Sequence, residues 1–562
     1  MRSESGWGMF RRRNALLPGL VFVILSCTTN GAVAQLTVPP SIDAGAIQRQ
    51  TIDREQQMRE EGERQPKVLS PLEKAVPAQV KQQKPDVRFF LRRIEFSSSE
   101  ILKTEELTVL AKEYEGREVT LSELEGLLER INQRYREMGV VTAKAILPPQ
   151  EIVDGIVRVR LIEGRIGKVS VGGNTSTNTR FIEGWVKQRP GDLANLLDLE
   201  RDLIRFNRTN DAQLAAELAP GDRFGESDIQ IKVAEPPKHD FRVFMDNNGS
   251  PSTGEFRTGV TYLNRSLLGV RDSLGLSFTW ADGHNGYGIN YSLPVNTWGT
   301  RLAGTYNLDK TDIRHGPFKG LGITGEAEAY GLDLRHPLYF DNRSYLEAVG
   351  GVRSRRVSSW ISDVFLQKTD TLDGRIGLEW LSVDGGGYWT GSLTYLSGHA
   401  DFSNAAGKRY SITRGNLRRV QDFGGGWQLR GLISFQGSQD VLLPSAEQFM
   451  IGGEGTVRGY QTGSFSGDRG HVLGVELHHP LPLGISNTKT SGFFFVDHGV
   501  TKPYRPVGSQ LGADEITGAG WGLNVAVSTW LSGKVSLGYA LSDRLEGSKN
   551  YYLNAQVIVA AF

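Results

Sequence analysis

The chain has 562 residues, too many for one ordinary hydrophobic core, so several domains are expected. A formal net charge of +1 gives no electrostatic case for nucleic acid. A mean hydropathy of −0.31, with no apolar run of about twenty residues after residue 34, excludes a helical membrane protein but not a β-barrel, whose alternating strands average out.

Residues 1–34 read as a secretory signal: Arg11-Arg12-Arg13 is the basic segment, Ala15 to Cys27 the apolar one, and Ala32-Val33-Ala34 the cleavage site. The chain's single cysteine, Cys27, sits in a lipoprotein-like Ile24-Leu25-Ser26-Cys27. Cleavage after Ala34 removes it and leaves a mature chain without thiols. Residues 35–65 follow as a helix that is polar nearly all round, with Ser41 as a cap and Pro66 as its stop. Such a helix sits in water or bridges solvent-filled space. Residues 66–87, with four prolines, are a linker.

Residues 88–164 carry a βααββ pattern. Phe89 to Phe96 opens as a strand, and Thr120-Leu121-Ser122-Glu123 is a capping box. Leu121, Leu124, Leu127, Leu128, Ile131, Tyr135 and Met138 keep helical spacing until Gly139. Val157, Val159 and Leu161 alternate with Arg158 and Arg160 as a half-buried strand. The grammar repeats over 165–237, with strands at Ile166–Val171, Leu214–Leu218 and Ile229–Val233, and helices at Phe181–Val186 and Leu193–Phe206. Two tandem modules of one pattern are an internal repeat, and neither holds a catalytic constellation.

After Pro237 the grammar changes. Leu274, Leu276, Phe278 and Trp280 alternate with small or polar residues, as do Trp389, Gly391, Leu393 and Tyr395, and Val535, Leu537 and Tyr539. A soluble β-sandwich shares the alternation, but a membrane barrel also needs aromatics at strand ends and a closing strand. Here the chain ends in an alternating strand with terminal Phe562, similar to an outer-membrane insertion signal. Proline recurs at strand ends in Leu293-Pro294, His336-Pro337 and His479-Pro480, away from the ladder interior. At about 20 residues per strand and loop, residues 238–562 hold around sixteen antiparallel strands.

Within the barrel, Gly452, Gly453, Val457, Arg458, Gly459 and Tyr460 set one arginine among glycines, which permit sharp turns and close approach. About forty residues on, Phe495, Asp497 and Gly499 stand in an apolar strand whose acid is the obvious partner for that arginine. Gly320-Leu321-Gly322-Ile323-Thr324-Gly325 matches a dinucleotide fingerprint but lies between alternating strands, so it reads as a loop. His471, His478 and His479 read as turn and strand-end residues, not a metal site.

This arrangement resembles the two-partner secretion (type Vb) outer-membrane transporters of the haemolysin and filamentous-haemagglutinin secretion family, within the barrel-assembly superfamily. The resemblance covers essentially the whole mature chain. It rests on the Val457-Arg458-Gly459-Tyr460 and Phe495-Val496-Asp497-His498-Gly499 motifs, two small modules and an N-terminal helix. It implies a transmembrane β-barrel of sixteen strands behind two α+β POTRA domains in the periplasm. It also implies a pore-plugging helix, and a loop around 440–472 folded into the lumen with Arg458 on Asp497. The implied partner is a large secreted exoprotein of adhesin or haemolysin type. Outer-membrane lipid, periplasmic chaperones and the barrel-assembly machinery are further expected partners. No cofactor, metal, nucleic acid or enzymatic step is expected. A barrel-assembly insertase of the same superfamily is the alternative, and a passive porin is disfavoured by the periplasmic modules.

Overall fold

The computed structural model describes residues 42–62, 66, 68–72, 87–140, 142–439, 442–482, 484, 488–504, 512–542 and 549–561. The expected signal with Cys27, Ser41, most of the linker and Phe562 lie outside the described residues. Helix α1 spans Ala44–Gly62. Its cap is Asp43 rather than the expected Ser41: the Asp43 carboxylate accepts from the Ala46 N–H at 2.9 Å, placing negative charge at the positive end of the helix.

The first module contains β1 (Arg88–Leu91), β2 (Arg93–Phe96), α2 (Thr104–Lys112), β3 (Arg117–Thr120), α3 (Leu121–Glu137), β4 (Lys144–Ile146) and β5 (Ile156–Ile162). The single strand expected over Phe89–Phe96 is two. β1 pairs with β3, whereas β2 pairs in parallel with β5 in another sheet. The chain pivots because the N–H groups of Arg92 and Arg93 both donate to the Gly155 carbonyl, at 2.8 and 3.3 Å. Gly155 has φ +70°, and a Cβ there would lie 2.7 Å from the Phe90 carbonyl, so no other residue fits. The capping box forms as read, with Glu123 N–H donating to Thr120 at 3.2 Å and Thr120 N–H to Glu123 at 2.8 Å. Helix α3 then buries Leu124, Leu127, Ile131 and Tyr135 in the module core.

The second module repeats the plan with β6 (Arg165–Gly172), α4 (Thr179–Trp185), α5 (Leu196–Thr209), β7 (Gln213–Pro220) and β8 (Glu226–Ala234). Its sheet order β6-β8-β7 matches β2-β5-β4 in the first, each with one parallel pair and an antiparallel outer strand. Trp185 packs edge-on against Phe206 with ring centroids 5.3 Å apart. β7 is an outer strand, yet its edge is occupied. The Ala216 N–H donates to the Pro71 carbonyl at 2.7 Å, Leu72 bridges Ala216 in parallel, and the Leu72 side chain packs on the module core.

The remaining strands are β9 (His239–Asp246), β10 (Arg257–Asn264), β11 (Ser273–Ala281), β12 (His284–Pro294), β13 (Arg301–Asp312) and β14 (Ile323–Phe340). There follow β15 (Ser344–Ile361), β16 (Val364–Asp384), β17 (Gly387–Phe402), β18 (Ala405–Gly424), β19 (Trp427–Ser438), β20 (Phe449–Ile451) and β21 (Phe465–Gly467). The last are β22 (Arg469–Pro480), β23 (Lys489–Lys502), β24 (Asp514–Ala526), β25 (Leu531–Ala540) and β26 (Tyr551–Ala561). All except β20 and β21 form one closed antiparallel barrel of sixteen strands, shut by β26 on β9 from Gln556–Asp246 to Ala561–Phe241. Trp280, Leu393, Tyr395, Val535 and Tyr539 stay exposed on the outer wall, where lipid would cover them. Pro294 and Pro480 end their strands, but Pro337 does not: it lies inside β14 at a bulge, where the ladder is already interrupted.

The second module docks on the turns at one rim of the barrel. Arg271 is the centre of that contact. Its side chain is fully buried and donates to Asp211 at 2.8 Å and to Ser176 at 3.2 Å. Its carbonyl accepts from Arg301, and its φ of +56° is unusual for a residue with a side chain.

Candidate functional site in the barrel lumen

The chain between β19 and β22 folds inward instead of turning back directly. Its β20–β21 hairpin leads to a tip at residues 452–464. Gly452 and Gly453 have φ of +106° and +97°, conformations open to glycine, and the Gly453 N–H donates to the Val457 carbonyl at 3.0 Å. Val457, fully buried, fits the gap over Gly499, where a Cβ would lie 2.7 Å from its methyl. Tyr460 donates its hydroxyl to the Thr517 carbonyl at 2.9 Å and accepts from the Ser542 N–H at 3.1 Å.

Arg458 meets Asp497 on the inner face of β23. Its Nε donates to Oδ2 at 2.7 Å and its Nη2 to Oδ1 at 2.8 Å, a two-pronged grip, and its backbone N–H adds a third bond at 3.1 Å. Nη1 reaches Glu476 on β22 at 2.5 Å. The guanidinium lies over the Phe495 ring, 3.6 Å from its centroid. Arg458 is 5 % exposed and Asp497 2 %, so the pair is desolvated and the Asp497 charge depends on Arg458.

The motifs did not reveal everything that shapes this contact. Gly518 on β24 and Gly538 on β25 leave the wall bare beneath the tip: a Cβ at Gly518 would overlap the Arg458 carbonyl, and one at Gly538 would lie 2.5 Å from the Gly459 nitrogen. Glu454 is held by Lys534 at 2.9 Å, Ser536 at 2.7 Å and Asn554 at 3.0 Å. At the loop's root, Glu447 binds Arg353, Arg355 and Arg414. A lone acid or glycine in a strand carries no spacing signal, and only the closed barrel brings these side chains together. His478 pairs with Glu476 at 2.8 Å. Among the described residues no group of His, Cys, Asp and Glu is placed to hold a metal. The Gly320–Gly325 segment is a short turn running into β14, not part of a βαβ unit.

Helix α1 lies against the inner wall beside this loop. Gln48 donates to the Ala327 carbonyl of β14 at 2.8 Å, and Arg49 to the Gln448 carbonyl of the loop at 2.7 Å. Gln48, Thr51 and Arg54 are buried although polar, as suits a lumen rather than a lipid or core environment.

Residues 225–525 match the family model for the haemolysin secretion/activation proteins ShlB, FhaC and HecB, and residues 89–164 match the ShlB-type POTRA domain. The chain belongs to that family. Its members are two-partner secretion transporters, and this one is an outer-membrane β-barrel with its N-terminal modules in the periplasm. Curated relatives include a heme/hemopexin transporter protein HuxB from Haemophilus influenzae, 27 % identical over 75 % of this chain and 78 % of that one. An outer membrane transporter CdiB from Dickeya dadantii is 26 % identical over 81 % of this chain and 83 % of that one. Among solved structures, CdiB from Escherichia coli superposes with a TM-score of 0.69 at 21 % identity, covering 94 % of this chain and 100 % of that one. BamA from Haemophilus ducreyi shares the fold at a TM-score of 0.51 and 15 % identity, covering 84 % of this chain and 100 % of that one.

Proposed function

We propose that the chain exports one large exoprotein, of adhesin or haemolysin type, which reaches the periplasm unfolded and crosses through this barrel. The observation that carries this reading is a closed barrel whose lumen is filled by two segments of its own chain. Helix α1 touches the wall through Gln48 and the loop through Arg49, polar contacts that can be exchanged for others at modest cost in a wet lumen, whereas the loop is held by the buried Arg458–Asp497 pair and an apolar cluster around Val457 and Tyr460. In this reading α1 is a plug that leaves during export, and the Arg458–Asp497 pair fastens the loop tip.

The modules supply recognition. An extended chain can add to the edge of β7 through main-chain hydrogen bonds with little demand on sequence, and the linker at Pro71–Leu72 already uses that edge in this way. An arriving exoprotein therefore competes with the linker, and its binding frees the tether of α1. Export involves no enzymatic step and no nucleotide; folding of the exoprotein outside draws the chain through. Periplasmic chaperones and the barrel-assembly machinery deliver the transporter to the membrane.

Deleting the chain in its own host tests this. The expected result is periplasmic retention of a large secreted β-helix protein encoded nearby, with porin levels unchanged. A general loss of outer-membrane proteins would instead support an insertase.

A further inference from the structure

We propose that Glu447 is a positioning residue that couples α1 to the loop, a second fastening at the loop's root distinct from the one at its tip. The proposal rests on the plug reading above. Glu447 is fully buried in the short turn Ser445–Glu447, where the loop leaves β19. One of its oxygens accepts from Arg353 and Arg355, both on β15, at 2.8 Å each, and the other from Arg414 on β18 at 2.8 Å. The main chain is gripped as well: the Glu447 carbonyl accepts from Gln436 at 2.9 Å and from Arg414 at 3.1 Å. A single carboxylate thus ties the root to two separated wall strands.

The same turn supports the helix. Arg49 of α1 donates to the Gln448 carbonyl at 2.7 Å. Gly45 leaves so little space that a Cβ would lie 2.9 Å from that of Ala446. Seating α1 brings Arg49 into the field of Arg355 and Arg414, which repel it, and of Glu447, which attracts it. Asp53 helps from one helical turn away, 3.5 Å from Arg49 but largely exposed. Asp373 faces the cluster from β16 and binds Arg353 at 3.2 Å. Four guanidiniums gathered in a lumen need buried negative charge among them. Glu447 is the carboxylate that touches three of them and adjoins the fourth. Its charge makes the lumen hospitable to α1, whereas Arg458 and Asp497 act on β22 and β23.

The test uses the full chain in the outer membrane of intact cells, with Ala44→Cys on α1 and Ala327→Cys on β14. These two positions pack together when the helix is seated, and a short thiol cross-linker reports that state. Glu447→Gln should lower the cross-linked fraction about tenfold, and Glu447→Asp, which keeps the charge, should leave it within about twofold of the parent. Adding Arg49→Gln to Glu447→Gln should restore most of the signal, because the repelled fourth cation is gone. Parental cross-linking in Glu447→Gln, loss in Glu447→Asp equal to that in Glu447→Gln, or no rescue by Arg49→Gln would each overturn the proposal. A parent that never cross-links would count against the plug itself.

Discussion

At the scale of single residues, the Arg458–Asp497 contact combines a two-pronged ion pair, a backbone hydrogen bond and an aromatic floor. Arg458→Ala strands the buried Asp497 carboxylate, a penalty of about 3–5 kcal/mol on the loop's seat, and Asp497→Ala removes the two-pronged grip and leaves Arg458 to Glu476 alone. Both variants should abolish secretion while inserting normally in the membrane, read by exoprotein in the medium and by barrel content; normal secretion by both would refute the role. Gly538→Ala tests the same contact from the wall, since the added methyl collides with the Gly459 nitrogen. Overpacking of about 1–3 kcal/mol should dislodge the tip and expose the loop to protease added outside the cell. In the periplasm, Glu235 offers a pH handle. Burial would raise its pKa, but hydrogen bonds from Thr177, Ser176 and Thr175 outweigh that and hold it at about 2. A lowered folded pKa means that its stabilisation is present above the ordinary value of about 4.3 and is lost as pH falls toward 2. Protection from hydrogen exchange across residues 173–178, taken relative to the unfolded chain at the same pH, should therefore fall in that window, and Glu235→Gln should be poorly protected at neutral pH and respond less to acid.

At the scale of elements, the legible parts were those with a period. Alternation in β11, β17 and β25 follows from a wall with lipid on one side and water on the other, and the 3.6-residue stripe of α3 follows from its one buried face. The Phe89–Phe96 run misled because a strand's period does not show which sheet it joins; the break depends on Gly155, more than fifty residues away in sequence. The Pro337 bulge was hidden for a similar reason, since an irregularity belongs to a pair of strands and not to one. Arg458 and Asp497 stood out because glycines and aromatics frame them. Glu447, Gly518 and Gly538 did not, because their meaning comes from what the closed barrel sets opposite them. For α1 the expected outcome of deleting residues 36–64 is a larger or less steady single-channel conductance in planar bilayers, and an unchanged trace would place the helix's role elsewhere.

At the scale of the whole molecule, three parts of one chain meet at the barrel rim that carries the second module. Arg271 fixes the module to the turns, while Leu69 donates to the Asn342 carbonyl of another turn at 2.8 Å on its way to the β7 edge. The linker therefore touches module and barrel together, so a ligand at the edge of β7 is felt at both. The helix at the far end of that linker also sets a size. Nineteen residues of α-helix fill a cylinder about 28 Å long and 10–12 Å across. On the plug reading, the space α1 would vacate admits one thread of polypeptide, or two abreast at the spacing of paired strands, about 4.8 Å, but no folded domain. On the plug reading proposed above, the helix is also the gauge of the passenger: one carrying a disulfide-closed folded insert should stall until a reductant opens it.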